Sequence, residues 1–180
     1  MKLWTHWQTP ELAPIPAALR DWLTDTGSLT RQLQQACQQS FSVALLHSGW
    51  QRPLPDESLL LGQPLGQLMF TREVQLLDGE QPQVYARSLV PVNTYHAKRA
   101  RFDALGNQSL GEMLFNDPQL QRGPIQVACL RPGQPLFKQA SRYLQQAPLT
   151  LWARRSCFYL AGKAMLVNEV FLPSDNWSDQ

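Results

Sequence analysis

Cysteine is scarce, with three residues in 180, Cys37, Cys129 and Cys157. They form no CxxC pair, and any one bridge would leave a thiol over. Neither a disulfide scaffold nor a cysteine-rich metal centre is expected, and a reducing compartment fits best. An excess of charge of either sign is also missing. The 16 Lys and Arg stand against 14 Asp and Glu, a formal balance of +2, which offers no electrostatic footprint for a phosphate backbone. Nucleic acid is not an expected partner. No run approaches the roughly 20 apolar residues of a membrane span. The opening Met1-Lys2-Leu3-Trp4-Thr5-His6-Trp7-Gln8 turns polar where a secretory signal needs an apolar stretch. A cytoplasmic protein without membrane insertion is the expectation.

Signature motifs are absent as well. There is no GxxxxGK[ST] loop, no GxGxxG after a strand, no HExxH and no GxSxG elbow. His6, His47 and His96 lie far apart, and none has ligand spacing to a cysteine or carboxylate. No metal site is expected. His47 reads as a half-buried strand residue and His96 as a surface residue at a helix start. The 14 prolines are scattered as punctuation, and no repeat or low-complexity tract marks a boundary. Residues 1–180 read as one compact domain, long enough to bury roughly 70% of the surface its unfolded chain exposes.

The periodicities alternate between helix and strand. Pro16 opens a helical pattern with Ala18, Leu19, Trp22 and Leu23 on one side, ending near Gly27. Ser28 has the chemistry of an N-cap for a second helix, whose Leu29, Leu33, Ala36 and Cys37 recur at helical spacing. From Phe41 the period becomes two, with Phe41, Val43, Leu45 and His47 in alternation. Residues 52–66, with three prolines, read as a loop. Met69 to Leu77 and Val84 to Val92 read as a hairpin turned by Asp78-Gly79-Glu80-Gln81-Pro82. Tyr95 to Leu105 is helical up to Gly106, and Ser109-Leu110-Gly111-Glu112 has capping-box spacing. A strand over Ile125 to Leu130, a helix over Pro135 to Gln146 and a hairpin from Leu149 to Leu172 complete an α+β layout around a mostly antiparallel sheet.

Two charges stand in apolar rows. Phe70, Arg72, Val74 and Leu76 share one strand face, and Met165, Val167, Glu169 and Phe171 share another. Removing an unpaired guanidinium from water costs several kcal/mol, so Arg72 calls for an anionic partner. Either Arg72 and Glu169 pair with each other, or both point into one cavity. In the second case Arg72 clamps a carboxylate, while Glu169 exchanges a proton or hydrogen bond at the ligand's far end. Such a cavity suits a small, flat, anionic ligand. Arg87 either adds a second cation beside Arg72 or lies exposed opposite Glu73. The run Lys98-Arg99-Ala100-Arg101 reads as a solvated helix face.

At these residues the sequence resembles the chorismate pyruvate-lyase family, whose members make 4-hydroxybenzoate for ubiquinone. The resemblance rests on Thr71-Arg72-Glu73-Val74-Gln75-Leu76-Leu77, Ala86-Arg87-Ser88-Leu89-Val90-Pro91 and Ser109-Leu110-Gly111-Glu112-Met113-Leu114-Phe115. It continues through Leu151-Trp152-Ala153-Arg154-Arg155-Ser156 and Asn168-Glu169-Val170-Phe171-Leu172-Pro173, in order and with similar spacing. It implies a single antiparallel sheet with helices packed on one side and helical flaps over an internal ligand cavity. It further implies release of pyruvate from chorismate without a cofactor, in the first committed step of ubiquinone biosynthesis, by a monomer.

By the same resemblance Arg72 and Glu169 are the catalytic and substrate-binding pair, with Arg72 on the ring carboxylate and Glu169 at the hydroxyl end; the place of Glu169 in an apolar row further suggests it as general acid toward the departing enolpyruvyl ether. Main-chain groups near Leu29 and Leu110 are to assist, and residues 130–148 look longer than in compact members. The alternatives are a non-catalytic small-acid binding module of the same fold, or a sibling lyase giving another hydroxybenzoate isomer. The first usually follows a helix-turn-helix, for which the segment before Arg72 offers no basic recognition helix.

Overall fold

A computed structural model describes residues 4–177. Helix α1 spans Ala17–Thr24 and α2 spans Leu29–Ala36. The Ser28 hydroxyl caps α2 by accepting from the Arg31 N–H at 3.4 Å, which leaves Leu29 and Leu33 to bury the inner face. After strand β1 (Phe41–Gln51) come α3 (Pro55–Leu60), β2 (Met69–Asp78) and β3 (Gln81–Val90). The short helices α4 (Val92–Ala97), α5 (Arg99–Asp103) and α6 (Leu110–Phe115) follow. The chain ends with β4 (Leu120–Arg122), β5 (Gln126–Leu130), α7 (Pro135–Ser141), β6 (Leu151–Leu160) and β7 (Lys163–Phe171).

Three stretches depart from the expected pattern. Helix α3 lies inside the proline-rich stretch 52–66, with Pro55 in its first turn and the Glu57 carboxylate accepting from the Leu54 N–H at 2.7 Å. At six residues it is too short to display a period. The single helix expected from Tyr95 to Leu105 breaks at Lys98, whose φ of −129° leaves the helical region. The helix expected over Pro135 to Gln146 stops at Ser141. Helix α6 starts at Leu110 as the capping-box spacing predicts, while the Glu112 side chain of that box lies outside the described residues.

All seven strands pair antiparallel in the order β1-β2-β3-β7-β6-β4, and β5 lies beside β4 along the same edge of β6. A register shift after Leu45 makes Leu46 an extra residue, so His47 pairs with Glu73 and leaves the face that Leu45 shares with Val74. One sheet face packs Val74, Leu76, Val84 and Phe171 against Leu19, Leu23, Leu29 and Leu33 of α1 and α2. Further along, Phe70, Val90, Phe158 and Val167 meet Phe102 of α5 and Leu110 and Leu114 of α6. These helices roof one side. The other face is covered by α7, through Leu136, Phe137 and Ala140, and by Leu61 at the end of α3.

The β2–β3 turn carries its own anchor. Gly79 has φ +58°, and a Cβ there would collide with the Gln39 side chain. Beside it the Asp78 carboxylate accepts from the N–H groups of Gln38 and Gln39, both at 2.8 Å. The bond from Gln38 is the leading cause that holds Asp78 below the usual carboxylate range. A depressed folded value means stability that is present above the unfolded pKa and lost as pH falls through the folded one. Asp78→Asn is therefore expected to lower Tm at neutral pH and to flatten its fall below about pH 4, the ordinary aspartate value. Melting curves between pH 7 and pH 2 check this; parallel curves for both proteins would refute it.

Candidate active site

The sheet register decides which charges meet. Arg72 pairs with Ser88, and Ser88 with Val167, so Glu169 lies two strands across and two residues along from Arg72. With strands ~4.8 Å apart and ~3.4 Å per residue, their Cα atoms are separated by about 12 Å on the same face. The direct ion pair that sequence left open is not formed among the described residues. The Glu169 Oε2 accepts instead from Arg154 Nε at 2.6 Å, its neighbour across β6 and β7.

Arg72 is 4% exposed and forms no ion pair among the described residues. Its Nη2 donates to the carbonyls of Gly106 at 2.9 Å and Gln108 at 2.8 Å, in the loop from α5 to α6. Burial without a counter-charge pulls the guanidinium down from its ordinary value to about 10. It remains a cation at neutral pH, and an anionic ligand would relieve the cost of its burial.

Arg87 does not join it. Its place opposite Glu73 puts it on the other sheet face, where it is 1% exposed and not, as sequence also allowed, an exposed surface cation. Its Nε donates to Glu57 Oε1 at 3.0 Å and its Nη1 pairs with Glu73, while Asn168 donates to the same Glu57 oxygen at 3.0 Å. Burial pushes Glu57 upward against the pull of Arg87. The signal for this network was the lone Glu57 in a leucine-rich segment, read as loop.

Between sheet and roof lies a narrow cavity of about 40 Å³, lined by Leu29, Thr30, Val74, Ser109, Leu110, Gly111, Val167 and Glu169 among others. One water-sized probe needs roughly 10–15 Å³, so a benzoate-sized ring enters only when the roof parts from the sheet. Arg72 does not line this cavity with Glu169; it lines an open depression of about 350 Å³ with Ser48, Phe70, Asp103 and Gly106. The structure thus gathers Leu29, Leu110 and Glu169 at one cavity and sets Arg72 at another. A larger groove of about 880 Å³ near Trp4, Arg131 and Trp152 is open and holds no ion pair among the described residues. No cluster of three His, Cys, Asp or Glu side chains fit to hold a metal occurs among the described residues.

The roof is fastened across its middle. Thr30 Oγ1 of α2 and Ser109 Oγ beside α6 share a buried hydrogen bond of 2.5 Å, and outside it Arg31 Nη2 donates to Asn116 Oδ1 at 3.0 Å. The helices approach this closely because of Gly111, where a Cβ would lie 2.9 Å from Thr30 Oγ1. Gly111→Ala is expected to wedge the roof and weaken binding of a benzoate-type acid about tenfold, near 1.4 kcal/mol. Calorimetric titration checks this, and an unchanged affinity would show that the close approach is not needed.

Sequence comparisons with known proteins agree on one family. A sequence model of the family described as chorismate lyase matches residues 2–180. A relative from Aromatoleum aromaticum, named "Probable chorismate pyruvate-lyase", is 41% identical over 180 residues, covering 97% of each chain. Relatives of the same name come from Nitrosospira multiformis, 38% identical over 93% of this chain and 95% of the relative, and Nitrosomonas europaea, 40% identical over 90% and 92%. Among solved structures, the effector domain of PhnF from Mycobacterium smegmatis superposes with a TM-score of 0.53 at 15% identity, covering 82% of this chain and 89% of that one. The C-terminal domain of the histidine utilization repressor from Pseudomonas syringae gives 0.54 at 8% identity, over 78% and 95%. At such identities the likeness speaks for the α+β fold alone.

Proposed function

This chain belongs to the chorismate lyase family, and from that premise we propose that it converts chorismate to 4-hydroxybenzoate and pyruvate, in the cytoplasm, as a monomer supplying ubiquinone synthesis. The observation that carries the reading is a buried arginine without a carboxylate partner on the same sheet face as a salt-bridged glutamate, under one roof of helices. In this reading Arg72 holds the ring carboxylate, and main-chain groups at Leu29 and Leu110 border the ring.

Chorismate brings most of the driving force, because its cyclohexadiene becomes aromatic. The bond from ring carbon to enolpyruvyl oxygen breaks with its electron pair leaving on oxygen. The neighbouring ring carbon, which bears the hydroxyl, gives up its proton, and the C–H pair enters the ring. The enolate takes a proton at its methylene and becomes pyruvate, so atoms and charge balance without an oxidant or reductant. Since Glu169 is ion-paired to Arg154, it is better suited to accept from the retained hydroxyl than to act as the general acid expected from sequence. A roof settled over the bound ligand would strengthen each of these contacts by excluding water.

Incubation with chorismate alone tests the reading, with pyruvate and each hydroxybenzoate isomer quantified by chromatography. Equimolar pyruvate and 4-hydroxybenzoate are expected. Another isomer would indicate a sibling lyase. No turnover, with 4-hydroxybenzoate still raising Tm, would indicate a binding module like the effector domains that share the fold.

A further inference from the structure

Resting on the lyase reading, we propose that Arg122 and Arg154 form a second anion subsite beside Glu169, which receives the enolpyruvyl carboxylate of chorismate and steadies the departing enolate.

The first support is a count of charge. On the cavity-facing side of the sheet, between the hairpin ends, the described residues place three arginines, Arg72, Arg122 and Arg154, against one carboxylate, Glu169. The surplus of two positive charges matches a dianion. A hydroxybenzoate has one carboxylate and needs only Arg72, whereas chorismate has two.

The second support is position. Arg154 pairs directly with Glu169 across β6 and β7, and Arg122 pairs with Phe158, a wall of the cavity. The Arg122 guanidinium lies 5.1 Å over the Phe158 ring, and its Nε donates to Ser156 Oγ at 3.1 Å. The enolpyruvyl group sits on the ring carbon next to the one bearing the hydroxyl. A hydroxyl held by Glu169 therefore brings the second carboxylate to this same end of the cavity.

The third support is how the two cations are held. Arg154 is 1% exposed. Its Nη1 donates to the carbonyls of Trp22 at 2.7 Å and Asp25 at 2.9 Å, and Arg122 Nη1 donates to those of Thr26 at 2.8 Å and Gly27 at 3.1 Å. Carbonyls orient a guanidinium without neutralising it. Neither Nη2 carries a hydrogen bond among the described residues. Glu169 is the one carboxylate in ion-pair contact with either cation among the described residues, and burial pulls Arg122 downward more than Glu169 and the weaker pull of Asp25 restore. An arriving carboxylate would supply the missing countercharge.

Steady-state kinetics and equilibrium binding on Arg122→Gln and Arg122→Lys test the subsite, beside the wild-type protein. A charge that meets only the second carboxylate is expected to raise KM for chorismate about tenfold or more in Arg122→Gln, while Kd for 4-hydroxybenzoate moves less than about twofold. Arg122→Lys should recover part of the loss. With 4-hydroxybenzoate bound, added pyruvate should raise Tm further in the wild type and not in Arg122→Gln. Equal weakening of both ligands together with a lowered Tm, not rescued by lysine, would make Arg122 a purely structural tie and overturn the subsite. An unchanged KM would also overturn it. If the wild type itself leaves chorismate intact, the lyase reading fails, and the subsite with it.

Discussion

Replacing Arg72 by methionine is expected to lower kcat/KM for chorismate about 10³-fold, near 4 kcal/mol, while the unliganded protein melts within a few degrees of the wild type. Truncating one partner of a buried, hydrogen-bonded charge pair costs 2–5 kcal/mol or more, and in the proposed reading Arg72 is the buried cation that meets the ring carboxylate. Methionine keeps much of the stem's packing and removes the charge. Two effects then oppose each other in the absence of ligand. The carbonyls of Gly106 and Gln108 lose their donor, but both residues are exposed and water can take its place, so the loss is about 1 kcal/mol or less. Against this, the desolvated charge is gone. Because the folded value of about 10 lies below the ordinary arginine value, the charged arginine opposes folding across the neutral range, and that opposition fades only as pH rises through the folded value.

A site that costs stability until its ligand arrives gives a distinctive thermal signature. Adding 4-hydroxybenzoate should raise Tm in the wild type and leave Arg72→Met unmoved, even where both proteins start from similar temperatures. Differential scanning fluorimetry with and without the acid, beside the chorismate assay, reads both quantities. If the variant retains the ligand shift, the carboxylate clamp is elsewhere. If its unliganded form collapses, Arg72 matters mainly as a pin for the loop between α5 and α6.

Much of this site was legible because strand periodicity is strict. Arg72 and Glu169 stand out as charges in apolar rows, and the structure places both on one face of one sheet. Ser28 and Ser109 mark the helix starts that bring Leu29 and Leu110 to the cavity. Partners, in contrast, were not legible. Alternation assigns a face and says nothing of which neighbour across the sheet a charge meets, so the Arg154–Glu169 pair had to await the register of β6 and β7. Arg87 shows the reverse failure: pairing with Glu73 was readable, but its burial depended on Glu57 from a six-residue helix too short to show a period. Strand β4 is three residues long, below the length at which alternation is visible, and with it Arg122 escaped notice. The bulge at Leu46 likewise turns His47 away from its expected face by an insertion that no local composition announces.

Glu169→Gln is expected to reduce kcat by about 10²–10³-fold, the usual worth of a positioned proton-accepting or proton-donating group, while 4-hydroxybenzoate binds within about tenfold of the wild type. Glutamine is close in shape to glutamate and can still accept from Arg154 Nε through its amide oxygen, so the 2.6 Å contact is weakened rather than removed. What is lost is charge. In binding, the product hydroxyl needs only an acceptor, which the amide supplies. In the elimination, electron density moves from the breaking C–H bond into the ring and onto the leaving enolate, and an anionic acceptor at the hydroxyl assists that movement in the transition state more than in the ground state. Glutamine also leaves Arg154 without its counter-charge, with only the Trp22 and Asp25 carbonyls as undiminished partners, so Tm should fall. Arg154→Gln in the same background then separates the two roles, since it removes the stranded charge and should restore part of the Tm without restoring kcat. Equal losses in kcat and in product affinity would reduce Glu169 to a binding residue, and full kcat in Glu169→Gln would exclude its carboxylate from the chemistry.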